Sequence, residues 1–199
     1  MSALVAFDGQ GRWGLTLDCP ARIAAALEAQ DIAFGRWPLK ALAPQAGAEQ
    51  VQAAYAPQLA ALGQRFAIRS VDRVRLAPGH AGWPALRQKF IAEHTHADAE
   101  IRFFLGGAGL FYIRTPEGHL GLLCEAGDWV ALPAGLRHFF DAGDEPDFDA
   151  LRLFTAPDGW VAQPTDAPAA ALPLMDEFVA QLAEEVGVDV ALAEHCPAP

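Results

Sequence analysis

The chain has 199 residues, of which 52% are hydrophobic, so it is long and apolar enough to fold as one compact domain without disulfides or a structural metal. Its formal net charge of -11 argues against a nucleic-acid partner, because phosphate binding needs clustered Lys and Arg. The sequence contains neither a secretory signal pattern nor the roughly 20 successive apolar residues of a membrane span. We therefore expect a cytoplasmic protein with no nucleic-acid or membrane partner.

The first zone of the chain, residues 1–69, mixes helix and strand patterns. Pro20 suits the first turn of a helix, and Ile32–Trp37 favours a short strand. A second helix is predicted from Glu49 to Leu62, although Pro57 within it disfavours an unbroken helix. We expect this zone to be part of the same domain and to pack on the barrel formed by the residues that follow it.

The second zone, residues 70–163, alternates short apolar runs with turn residues at close intervals, which is typical of an all-β barrel or sandwich. Within it, Phe111–Arg114 and Leu120–Leu123 flank a turn and predict a hairpin. The third zone, residues 164–199, is a linker, a helix over 176–185 and a tail. We expect a single domain, mainly β with flanking helices. The predicted turns are Gly106–Gly107, Thr115–Gly118, Gly127–Asp128, Pro133–Gly135 and Gly143–Pro146.

The segment from Glu93 to Arg102 contains a candidate metal site. His94 and His96 are two residues apart, so on a strand their imidazoles share a face. The small and polar residues 97–99 allow a bend, after which Glu100 can return a carboxylate to the same point. Imidazole and carboxylate together suit a borderline divalent ion, and two His with one carboxylate are the ligands of many oxygen-activating iron enzymes.

Taken alone, this segment leaves two interpretations open. A pair of histidines near a glutamate also arises by chance, and a buried histidine usually hydrogen-bonds to the main chain. A second segment, residues 127–138, favours the metal site, because it combines a strand, a Pro-x-Gly turn and then His138.

The two segments together resemble the paired motifs of the cupin superfamily. In the first motif, H-x-H is followed by three residues, a Glu, six residues and a Gly, which is Gly107 here. In the second, a Gly is followed by five residues, Pro-x-Gly, two residues and a His, matched by residues 127–138. The resemblance implies a jelly-roll barrel, the double-stranded β-helix of cupins.

Within the cupins, the chain resembles the bacterial acireductone dioxygenases. By that resemblance His94, His96, Glu100 and His138 bind one Fe(II) or Ni(II) ion and leave two positions open for the substrate, acireductone (1,2-dihydroxy-5-methylthiopent-1-en-3-one) of methionine salvage. Reaction with O₂ then gives formate and 4-methylthio-2-oxobutanoate with Fe(II), or formate, CO and 3-methylthiopropionate with Ni(II). The segments that carry the resemblance are Phe34–Trp37, Lys89–His96, Glu100–Phe104, Gly107–Phe111 and Gly159–Gln163.

Five further residues are predicted to act on the substrate. Arg102 shares strand parity with Glu100 and should reach the same cavity, and Arg152, flanked by apolar residues, is predicted to point inward. A surface salt bridge is the alternative for each arginine. Phe90, Phe140 and Trp160 are predicted to line an apolar wall around the methylthio group, with ordinary core packing as the alternative.

Two other functions compete with this one: a non-catalytic cupin that binds a ligand, and a metal-dependent cupin enzyme of another reaction type. The barrel hosts many chemistries, so fold alone does not separate them. The family resemblance favours a monomer. The remaining histidines, His80, His119 and His195, are predicted to be exposed. An acidic group, predicted to form a solvated loop, comprises Asp141, Asp144, Glu145, Asp147 and Asp149.

Overall fold

The computed structural model describes residues 1–43, 45–156, 161–167 and 171–188. These residues form eleven strands and five helices. The strands are β1 (Ala3–Asp8), β2 (Trp13–Leu17), β3 (Ala33–Arg36), β4 (Ser70–Leu76), β5 (His94–Thr95), β6 (Glu100–Thr115), β7 (Gly118–Glu125), β8 (Asp128–Leu132), β9 (His138–Asp141), β10 (Phe148–Phe154) and β11 (Gln163–Pro164). The helices are α1 (Pro20–Glu28), α2 (Ala48–Ala54), α3 (Ala56–Arg65), α4 (Trp83–Phe90) and α5 (Met175–Val188).

The strands form two antiparallel layers that share the long strand β6. One layer has the order β11-β5-β9-β6-β7-β1-β2, and the other runs β4-β10-β6-β8-β3. The predicted hairpin is confirmed, because Phe111 pairs with Leu122 across β6 and β7. The prediction of a mainly β barrel with flanking helices is also confirmed.

Strand β6 crosses from one layer to the other at two glycines. The predicted turn at Gly106–Gly107 is wrong, because the strand continues through both residues. Gly107 has a φ of 64°, and a Cβ there would lie 1.8 Å from the main-chain oxygen of Asp147, so only glycine fits this bend. The bend shifts the strand's alternation by one residue: Phe104 faces the barrel interior before it, and Phe111 faces the interior after it.

The central strands are buried on both faces, as in β8 and β9, which explains their uninterrupted apolar runs. The interior holds Phe104, Phe111 and Phe140. Outside one layer, α2 and α3 cover Phe103 and its neighbours, and outside the other, α5 packs through Phe178. None of the helices among the described residues is long and apolar enough to cross a membrane.

The helix predicted over Glu49–Leu62 is broken in two. Helix α2 ends at Ala54, Tyr55 separates the helices, and Pro57 lies in the first turn of α3. Proline lacks the amide hydrogen that an unbroken helix would need at this position, and its ring clashes with the carbonyl four residues earlier.

The strand-like zone also contains an unpredicted helix, α4, and a buried carboxylate that fastens it. The prediction of a solvated loop is wrong for Asp141, whose side chain is fully buried. Arg87 of α4 donates two hydrogen bonds to it, at 2.7 and 2.8 Å, and the amides of Gly143 and Met175 also donate to it. Asp141 therefore ties β9 to α4 and to the start of α5. The predicted exposure holds for Asp144, Glu145 and Asp147, whereas Asp149 is partly buried.

Candidate metal centre

Four of the predicted residues come together at one point inside the barrel. His94 and His138 are cross-strand partners of β5 and β9, His96 follows β5, and Glu100 is the first residue of β6 after the predicted bend. Each offers a ligand atom, and these atoms all lie within 4.8 Å of one another. All four residues are buried, with exposed fractions of 8% for His94, 6% for His96, 2% for Glu100 and 2% for His138.

All three imidazoles turn the same nitrogen toward this point. Each Nδ1 faces a main-chain carbonyl oxygen, which accepts hydrogen bonds and never donates them. The proton of a neutral imidazole therefore sits on Nδ1, and the lone pair of Nε2 faces the centre. The pairs are His94 with Ala92 at 2.7 Å, His96 with Val161 at 3.2 Å and His138 with Leu136 at 2.8 Å.

The spacing of the inner atoms fits a metal ion. The Nε2 atoms of His96 and His138 lie 2.9 and 3.0 Å from Oε2 of Glu100. Lone pairs facing a carboxylate at this distance repel unless a cation lies between them. Three imidazole nitrogens and one carboxylate, gathered at one buried point, form a donor set that fits a divalent transition-metal ion.

Arg102 controls the charge of this centre. Its Nε lies 2.8 Å from Oε1 of Glu100, and both side chains are buried. Burial by itself would raise the pKa of Glu100, but the positive charge of the nearby Arg102 guanidinium holds that pKa well below its usual range. Glu100 is therefore ionised, as a metal ligand must be.

The second predicted arginine lies one strand away with a different partner. Arg152 of β10 is the direct cross-strand partner of Arg102, so both side chains leave the sheet on the inner face. The guanidinium of Arg152 donates to Asp72 of β4 at 2.8 and 2.5 Å, and the side chain is 35% exposed. Arg102 thus contacts Glu100 of the four-residue cluster directly. Arg152 lies nearer to solvent and forms an ion pair with Asp72, as the alternative to a role in the site predicts.

Of the three predicted wall residues, Phe140 contacts Arg102, and Phe90 contacts Phe140. The ring of Phe140 lies 4.4 Å from the guanidinium carbon, measured to its centroid, and Phe90 packs edge-on against Phe140 at 5.9 Å. Both also belong to the interior core, so their contact with a substrate stays a prediction. Trp160 lies outside the described residues.

Sequence reasoning missed several groups near the centre. Phe111 places its ring 5.3 Å from the Arg102 guanidinium, and the carbonyl of Val161 orients His96. The sequence separation of Val161 from His96 leaves no local pattern to find. His119, predicted to be exposed, is 7% exposed in β7, whereas His80 is exposed as predicted. His195 lies outside the described residues.

Comparison with known proteins agrees with this geometry. The ARD/ARD′ family model matches residues 18–162, more than half of the chain. Acireductone dioxygenase of a Synechococcus species is 46% identical over 154 residues, covering 77% of this chain and 85% of that protein. The enzyme of the same name from Parasynechococcus marenigrum is 40% identical over 186 residues, covering 88% of this chain and all of that protein.

A solved structure shares the fold. Acireductone dioxygenase from Bacillus anthracis, determined with a cadmium ion in its active centre, matches with a TM-score of 0.72 at 21% identity and covers 82% of this chain and 98% of its own. The predicted cupin fold is thereby confirmed. The chain belongs to the acireductone dioxygenase (ARD/ARD′) family, whose members are oxidoreductases that incorporate O₂.

Proposed function

We propose that the protein cleaves acireductone, 1,2-dihydroxy-5-methylthiopent-1-en-3-one, with O₂ in methionine salvage, using one Fe(II) or Ni(II) per chain. His94, His96, Glu100 and His138 are the proposed ligands. The observation that carries the proposal is the orientation of the three imidazoles: each Nδ1 faces a main-chain carbonyl, and the ligand atoms of all three lie within 4.8 Å of one another and of the Glu100 carboxylate. The relatives named above support the same substrate.

When bound by these four residues, the metal would supply a Lewis acid that polarises the oxygens of the enediol and brings the substrate and O₂ together. The charges of this chain's own residues fit that task. The carboxylate of Glu100 and the guanidinium of Arg102 cancel each other. A divalent ion therefore leaves an excess of positive charge in a buried site, which an anionic enediolate would neutralise.

Arg102 is proposed to orient that anion, because it is buried beside the centre and held against aromatic rings. Phe90 and Phe140 are proposed to shape the apolar side of the pocket and to exclude water, together with Trp160. Arg152 is proposed to contribute positive charge from the solvent side, where Asp72 holds it. We also propose that the protein is a cytoplasmic monomer.

The proposed products depend on the metal. With Fe(II) we propose formate and 4-methylthio-2-oxobutanoate, and with Ni(II) formate, CO and 3-methylthiopropionate. Each set accounts for all atoms of one acireductone and one O₂.

The decisive experiment is anaerobic reconstitution of the metal-free protein with Fe(II) or Ni(II), followed by acireductone and O₂ and identification of the products. We expect CO with Ni(II) alone. A His138→Ala variant treated in parallel measures the background oxidation of this reactive substrate. Product formation at the background rate with both metals would refute the proposed activity.

A further inference from the structure

The three imidazoles of the centre are oriented by different parts of the chain. The carbonyls that face His94 and His138 come from residues two positions earlier in the same segment. The carbonyl that faces His96 belongs to Val161, 65 residues away. The orientation of His96 therefore depends on how residues 161–167, which we name the strap, are attached to the barrel.

The strap is not held by buried apolar side chains. Residues 161–164 are exposed, and the side chain of Val161 is 64% exposed. Its attachment is made of hydrogen bonds instead. Strand β11 within the strap pairs with β5, with Gln163 opposite Thr95 and Pro164 opposite His94. Thr165 directly follows β11 and is half-buried.

Thr165 binds Glu93 through both main chain and side chain. Its amide donates to the carbonyl of Glu93 at 3.0 Å, and its hydroxyl donates to Oε1 of the same residue at 2.6 Å. Arg114 of β6 holds the other carboxylate oxygen of Glu93 at 2.5 Å. Glu93 is thus anchored to the barrel on one side and to the strap on the other, immediately before His94.

From this juxtaposition we propose that Thr165 and Glu93 are positioning residues for His96: they fasten the strap so that the Val161 carbonyl keeps the proton of His96 on Nδ1 and its Nε2 toward Glu100. The inference rests on the proposed function, since it assigns a supporting role in the same metal site. Outer groups that orient a ligating histidine typically change metal affinity about 10–100-fold when they are removed.

Thr165→Val tests the proposal with the smallest change of shape, because it replaces the hydroxyl with a methyl group and leaves the main chain in place. We expect Co(II) to bind about tenfold more weakly, because the imidazole of His96 is no longer held. Thr165→Ser restores a hydroxyl and should restore the affinity. Thr16→Val, which removes a hydroxyl that accepts a hydrogen bond from Trp13 in β2, is the matched control.

A spectroscopic measurement separates positioning from general loosening. In the Co(II)-loaded protein, each ligating imidazole with a protonated Nδ1 gives one exchangeable, strongly shifted proton resonance, so the native protein should give three. In Thr165→Val we expect one of the three to exchange with water about five to ten times faster, as the loss of one hydrogen bond predicts. Glu93→Gln, which weakens the link to Arg114, should act on the same resonance.

The results of these measurements distinguish a failure of this inference from a failure of the proposed function on which it rests. Native protein that binds no Co(II) would refute the proposed metal site itself. Native protein with three resonances, all equally protected in Thr165→Val, would overturn the inference and leave the site intact. Equal acceleration of all three would also overturn it, because it would show that Thr165 merely stabilises the whole centre.

Discussion

The central carbon of the Arg102 guanidinium lies 4.4 Å from the centroid of the Phe140 ring, and Nε of the same group lies 2.8 Å from Oε1 of Glu100. The aromatic core and the metal centre are therefore joined through one side chain. Phe140 is enclosed in turn by Phe111 and Phe148 at centroid distances of 4.9 and 5.5 Å. A displacement of the Phe140 ring should reach the site through Arg102.

Gly109→Ala is predicted to produce this displacement without removing any group from the site. The added Cβ would lie 2.4 Å from the Phe140 ring, which its aromatic neighbours prevent from moving freely. We expect a loss of about 1–3 kcal/mol in unfolding free energy, as overpacked cores show, and a raised KM for acireductone with unchanged metal content. Urea unfolding, kinetics and metal analysis measure the three effects.

The control is Gly63→Ala, because Gly63 lies in α3 with open space around it. That substitution should raise stability by about 0.5–1 kcal/mol through helix propensity and leave KM alone. Native kinetics in Gly109→Ala would show that the Phe140 ring position does not matter to the substrate.

Substitution of Arg102 is predicted to separate substrate binding from metal binding. Arg102→Lys keeps the charge but loses the guanidinium that contacts the Phe140 ring, and we expect kcat/KM to fall about 10–100-fold, equivalent to about 1.4–2.7 kcal/mol. Arg102→Met should lose more, because the positive charge near the substrate is gone. Both should retain about one metal per chain, since all four proposed ligands remain. Loss of metal in Arg102→Met would instead make the arginine a structural partner of Glu100.

The ligand assignment predicts a sharp contrast between histidines. His138→Ala should abolish turnover and weaken metal binding by more than the tenfold expected for an outer group, because it removes a donor that faces the centre. His80→Ala removes an exposed imidazole and should leave both properties unchanged. Metal analysis after dialysis and activity assays give the comparison, and native metal content in His138→Ala would disprove the assignment.

Three residues of the centre, His94, His96 and Glu100, could be predicted from a local pattern, whereas His138 and the jelly-roll barrel followed from the resemblance to the paired cupin motifs. Strand parity, the bend over 97–99 and the Pro-x-Gly turn before His138 each act within a dozen residues. The hairpin of β6 and β7 follows from a short-range pattern of the same kind.

The groups that the sequence did not predict depend on contacts between distant segments. Val161 reaches His96 through the pairing of β11 with β5, which no spacing indicates. Asp141 lies in an acidic, turn-rich segment and looks solvated until Arg87 is brought against it by α4. The two glycines 106 and 107 have the composition of a turn, but the pairing on both sides of them keeps the strand extended.

Asp141→Asn, a substitution outside the metal centre, is predicted to cause a large loss of unfolding free energy. It leaves Arg87 partly buried without its bidentate carboxylate and weakens the contacts to the amides of Gly143 and Met175. Removing one partner of a buried ion pair typically costs about 3–5 kcal/mol. Asp144→Asn is the control, because Asp144 also contacts Arg87 but is exposed, and it should cost no more than about 1 kcal/mol. Equal losses in the two variants would show that burial of Asp141 is energetically unimportant.

His119 is predicted to make the protein less stable as the pH falls below neutrality. Burial lowers the pKa of His119 below 6.5, the nearby Arg114 lowers it further, and Glu93 opposes the change. The unfolded chain therefore takes up a proton first, so the stability that neutral His119 confers is present above about pH 6.5 and is lost as the pH falls toward the folded pKa. We expect His119→Leu to flatten the decline of unfolding free energy between about pH 7.5 and 5.5, by at most about 1.4 kcal/mol per pH unit.

Urea unfolding of both proteins under the same metal conditions measures the difference, since the metal ligands titrate alike in each. His80→Leu, which removes an exposed imidazole, should keep the native profile, and an unaltered profile in His119→Leu would show that His119 takes up its proton equally in the folded and unfolded states.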